Sequence, residues 1–105
     1  METVKLIKTV GGELYIGYVD DNKTTDSEMT MNQARNLSMQ MTSRGPSVAA
    51  MPIVPFAIKS PDSFTIQISN ILCSVDETNI NKEILDGYKT EVTGIVAPSK
   101  PQIII

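Results

Sequence analysis

Histidine and tryptophan are absent from the 105 residues, and cysteine occurs once, at Cys73. Without histidine or a second thiol, the common zinc sites and the Ser–His and Cys–His catalytic arrangements cannot be built. A lone cysteine forms no internal disulfide, which fits a reducing compartment. The aromatic residues are Phe56, Phe64, Tyr15, Tyr18 and Tyr88, so a core has to come from Ile, Val, Leu and Met. No glycine-rich phosphate loop occurs; Gly11-Gly12 is a turn dipeptide between two strand-like runs. Net positive charge is missing too. Nine Lys and Arg against twelve Asp and Glu give a formal charge of −3 and a pI near 4.8. That balance is opposite to the footprint of a nucleic-acid binder, so any RNA or DNA role rests on a local site. No apolar run approaches membrane-span length, and METVKLIKTV interrupts its short apolar stretch with charges and lacks an h-region. The acidic pairs Asp20-Asp21 and Asp76-Glu77 read as solvated strand or turn ends rather than as catalytic or metal-binding pairs. The expectation is a cytoplasmic protein that is not an enzyme and carries no cofactor or metal.

A chain this short is one small domain, burying roughly 65% of its extended surface, and oligomerisation is a natural way for it to gain buried area. VKLIKTV, residues 4 to 10, is a strand-like run leading into Gly11-Gly12, which supplies the positive φ of a tight hairpin. ELYIGYVDD follows as a second strand. Leu14, Ile16 and Tyr18 fall on one of its faces and Tyr15, Gly17 and Val19 on the other. Gly17 in mid-strand indicates a sharp bend or close approach by another backbone. After the polar turn DDNKTTDSE, the stretch MTMNQARNLSMQM alternates with period 2 from Met29 to Met41, as a half-buried strand does. Met29, Met31, Met39 and Met41 admit a second reading as soft ligands for a cuprous ion. With Cys73 distant, the core reading is preferred. Gln33 and Arg35 interrupt the apolar face, where a bulge or a change of sheet is expected.

TSRGPS is a turn cluster, and VAAMPIVPFAIK is apolar but holds Pro52 and Pro55. Those prolines make it an edge strand or an apolar excursion packed on the domain. In FTIQISNILCSVDET the apolar phase switches from Phe64, Ile66 and Ile68 to Ile71, Cys73 and Val75, so a bulge or break is expected at Ser69-Asn70. Ile80, Ile84, Leu85, Tyr88 and Val92 then follow helical spacing, with Asn79 or Asn81 available as N-cap. Lys82 and Lys89 on the outer side read as a solvated face. The tail TGIVAPSKPQIII is broken by Pro98 and Pro101, and Ile103 to Ile105 form an apolar end suited to docking.

These residues carry a resemblance. VKLIKTVGGELYIGYVDDN and EMTMNQARNL resemble the first motif of the Sm and Sm-like (LSm, Hfq-like) family, with Gly12, Gly17, Val19, Met29, Met31 and Ala34 at the pattern positions. ISNILCSVDET is similar to the short second motif, and the whole looks most like the Sm-like proteins of tailed phages, cyanophages among them. The resemblance spans roughly residues 4 to 77. It implies a mostly β fold: a small, strongly bent, five-stranded antiparallel barrel over 1–78, with a C-terminal helix at 79–94 packed on it and a tail at 95–105. Two alignments place the fourth strand, at 50–58 or at 64–68. The second keeps Pro52 and Pro55 off the ring-closing edge, puts the fifth strand at 71–77 and leaves 42–63 as an enlarged loop. Family members form rings of five to seven subunits, joined by main-chain pairing between the fourth and fifth strands of neighbours, and bind single-stranded RNA. The resemblance therefore implies a homo-oligomeric ring probing RNA through Asn22, Lys23, Gln67 and Asn70, in host cytoplasm if phage-encoded. The chain departs from the pattern in having no helix before Val4. It also reads Gln67, Ile68, Ser69 and Asn70 where the family places a cation. The alternative is a structural or adaptor ring in phage assembly that binds no RNA and docks a protein partner through 42–63 or 98–105.

Overall fold

In the computed structural model, which describes residues 2–53 and 63–93, the chain forms one antiparallel sheet of six strands and a helix near its C-terminal end. The strands are β1 (Glu2–Thr9), β2 (Leu14–Asp20), β3 (Glu28–Thr42), β4 (Gly45–Met51), β5 (Ser63–Gln67) and β6 (Ile71–Asp76), followed by α1 (Lys82–Thr93). The sheet order is β4-β3-β2-β1-β6, and β5 pairs with β3 beside β4. The count is six rather than the expected five, because part of the presumed 42–63 loop is itself a strand. β4 folds back on β3 in register from Thr42↔Gly45 to Asn36↔Met51 and stops at Met51, immediately before Pro52. The rest of that excursion, from 54 to 62, lies outside the described residues, as does the tail 95–105.

The β1–β2 hairpin closes where it must. Gly12 takes φ +90°, and its N–H donates to the Thr9 carbonyl at 3.0 Å. Two apolar layers lie on opposite faces of the resulting sheet. Val4, Ile16 and Leu37 face α1 and pack with Ile80 and Tyr88, while Ile7, Val19, Met29, Met31, Ala34 and Ile66 fill the other side. β3 serves both layers because it carries a bulge. The pairing Ile16↔Arg35 jumps to Tyr18↔Asn32, and Gln33 sits at φ +51°. Opposite the bulge, a Cβ on Gly17 meets the Asn32 carbonyl oxygen at 3.1 Å, Met31 Cβ at 3.2 Å and Ala34 Cα at 3.3 Å, so any side chain there requires the facing strand to give way slightly.

Met39 and Met41 do not extend the buried face of Met29 and Met31. They are 71% and 79% exposed, whereas Met31 is fully buried. The bulge turns the strand over, and β2 ends its pairing at Leu14↔Leu37, so among the described residues the remainder of β3 pairs only with β4. Ile68–Asn70 form a single 3-10 turn between β5 and β6, which accounts for the change of apolar phase there.

α1 begins one residue after its cap. The Asn81 side-chain oxygen accepts from the N–H groups of Glu83 (2.9 Å) and Ile84 (3.3 Å), and Asn79 belongs to a preceding 3-10 turn. The helix is fastened to the bulge: the Tyr88 hydroxyl donates to the Gln33 carbonyl at 2.7 Å, and Arg35 lies 3.6 Å from Glu91. Burial pushes the Tyr88 hydroxyl well above its ordinary pKa, so it remains a donor.

Candidate functional site

The turn after β2 is built by its own side chains. Asp20 accepts from the Asn22 N–H at 2.9 Å, capping a 3-10 turn over Asp21–Lys23. Thr25 then accepts from the N–H groups of Ser27 (3.3 Å) and Glu28 (3.0 Å) through its hydroxyl. The Ile68 N–H donates to the Ser27 carbonyl at 2.8 Å, bringing the turn between β5 and β6 against this loop. An open recess of about 600 Å³ results, lined by Asp26, Ser27, Glu28, Gln67, Ile68 and Ser69.

Of the four residues suggested by the sequence, Gln67 lines this recess. Asn70 lines a smaller one of about 210 Å³, floored by Tyr15 and Phe64 with ring centroids 5.1 Å apart. The Asn70 carbonyl there accepts from the Val10 N–H at 2.9 Å. Asn22 and Lys23 are exposed and line neither recess. The neighbouring cation, Lys5, is engaged elsewhere. It pairs with Asp76 at 2.7 Å and with Asp21 at 3.7 Å, and the Asp76 hydrogen bond raises its pKa. The larger recess therefore offers an amide and two hydroxyls between two carboxylates, with no cation among its lining residues. Such a lining suits a neutral, hydrogen-bonding edge and repels phosphate.

The resemblance puts Asp26 and Glu28 in the loop half of the pocket and Ile68 and Ser69 beside Gln67 in the other half, and all four line this recess; sequence reasoning did not single out Ser27. The turn-forming Thr25-Asp26-Ser27 run was the available signal, because a hydroxyl-capped turn fixes which residue comes next to β5. Nor did it foresee Glu91. Its carboxyl is raised above the ordinary value by burial, against the opposing pull of Arg35, and its Oε2 is buried with no hydrogen-bond partner among the described residues.

The strand edges form a second kind of site. Among the described residues β5 pairs only with β3 and β6 only with β1, so each has one edge that no other described strand covers. β6 is largely exposed, with Leu72 at 61% and Cys73 also outward. No helix among the described residues is long and apolar enough to cross a membrane. Comparison of the chain with protein-family models, curated proteins and solved structures gives no match.

Proposed function

We infer that this chain is a non-enzymatic assembly module, a phage-type Sm-like barrel that closes into a homo-oligomeric ring by pairing β5 of one copy with β6 of the next. The carrying observation is that, among the described residues, β5 and β6 each have one edge without a strand partner. Unpaired edge amides and carbonyls are templates for another strand, and the two short strands stand where the family resemblance puts the ring-forming pair. Hydrogen exchange tests this. In a ring the amides of 63–67 and 71–76 are protected on both strand edges; in a free chain, roughly the alternate amides that point outward exchange fast.

A second reading, single-stranded RNA binding around the ring, is favoured by Gln67 in the larger recess, an amide able to read a base edge. The flanking Asp26 and Glu28 make such binding weak and dependent on low salt, since a ring carries five to seven times the chain's −3. Fluorescence anisotropy with oligo-U and oligo-A separates the two readings. Binding at low salt that Gln67→Ala abolishes supports the RNA role, and flat titrations at low salt exclude it.

A further inference from the structure

The apolar face of the β3–β4 ribbon runs out past the protein's own core. Met39 stands opposite Val48 and Met41 opposite Pro46, so these side chains share the face that begins with Leu37 and Ala50. Leu37 is buried near α1, and Val48 and Ala50 pack at the margin of that core. Farther out, Met39 and Met41 are 71% and 79% exposed. The reverse face pairs Ser38 with Ala49 and Gln40 with Ser47. Alternation of this kind suits a strand with one covered and one wet face, and a two-stranded ribbon with neither face covered is marginal in water.

We propose that the cover is the same face of a second copy, packed about a two-fold axis with the two ribbons antiparallel. Charge points to this occupant. Residues 36–51 hold one charge, Arg44 at the hairpin tip, in a chain whose net charge is −3, so the ribbon is where two acidic copies meet without like-charge repulsion. In the antiparallel arrangement each Arg44 passes the partner ribbon and reaches the α1 side of the second copy, where Glu83 and Asp86 are exposed. Area sets the strength. From strand rise and spacing, the projecting face measures roughly 17 by 10 Å, so two such faces bury less than the ~1,200 Å² of a stable interface. The contact is therefore weak and concentration-dependent for single chains, and strong where several copies held in one assembly engage together. Methionine suits the role, because its unbranched thioether chain adapts to a like surface. The β5 and β6 edges take no part, so the contact does not depend on ring formation.

Sedimentation velocity over a concentration series tests the contact through a doubling of particle mass, from chain to pair or from ring to paired ring. Met39→Ser combined with Met41→Ser should move the midpoint up by about two decades or more, since four exposed methionines no longer become buried. Arg44→Glu should weaken the pairing about tenfold, with Glu83→Lys and Asp86→Lys in the same chain restoring it. A wild-type protein that does not double up to about 1 mM, or a doubling indifferent to the serine pair, overturns the proposal. Peroxide oxidation of the unaltered chain gives an independent reading. Met39 and Met41 should oxidise more slowly as protein concentration rises, and a concentration-independent rate overturns the proposal even where a variant misfolds.

Discussion

Replacing Tyr88 with phenylalanine removes a single oxygen from the joint between α1 and the sheet. That hydroxyl donates to the Gln33 carbonyl at 2.7 Å, and Tyr88 is fully buried against a strand residue held at φ +51°. The ring keeps its place beside Tyr18, with centroids 5.8 Å apart, so the variant leaves packing intact and takes the donor from one part-buried carbonyl. Leaving a buried acceptor unsatisfied costs about 1–3 kcal/mol. Partial access of water at the bulge puts the expected loss at about 1–2 kcal/mol, or roughly 4–8 °C in Tm per kcal/mol for a domain of this size. Urea unfolding followed by circular dichroism measures it directly, with the denaturant slope unchanged because the exposed surface on unfolding is the same. A loss below about 0.3 kcal/mol would mean that water satisfies the Gln33 carbonyl equally well, and would refute the claim that Tyr88 pins the helix to the bulge.

Two further changes probe the same framework. Gly17→Ala should destabilise by about 1–2 kcal/mol, since three contacts at 3.1–3.3 Å, two of them to backbone, outweigh the entropy alanine removes from the unfolded chain; a stabilised variant in urea denaturation contradicts this. Glu77 is held below the usual carboxylate range first by the Val4 N–H, 2.9 Å from its oxygen, and then by Lys89. With its folded pKa below the unfolded one, Glu77 contributes stability above about pH 4.3 and loses it as pH falls through the folded value. The gap in urea midpoint between wild type and Glu77→Gln should therefore shrink between about pH 5 and pH 3, and an equal gap at both ends refutes the assignment.

Much of the framework was legible where one residue type has one physical use. Gly11-Gly12 makes the first hairpin, and Gly12 does take a positive φ. Gly17 faces the close backbone approach it suggested, and the Gln33–Arg35 interruption is a bulge. The helical spacing from Ile80 to Val92 gave α1, with Asn81 rather than Asn79 as the cap. The fate of Met39 and Met41 was not legible, because period 2 states that a strand has two unlike faces and not what covers the apolar one. β4 was obscured by the prolines after it, although the strand ends just before Pro52. The candidate site was harder still. Gln67 and Asn70 line separate recesses and Asn22 and Lys23 line neither, because the long-range Ile68–Ser27 hydrogen bond, which no local pattern announces, joins the locally capped loop to the end of β5 at Ser27 rather than at Asn22 or Lys23.

The central claim, that the β5 and β6 edges pair between copies into a closed ring, is tested most directly by the mass in solution. Light scattering on the intact chain at micromolar concentration should give five to seven times 11.5 kDa, or twice that where ribbons join two rings. A particle of 11.5 kDa under those conditions would contradict it.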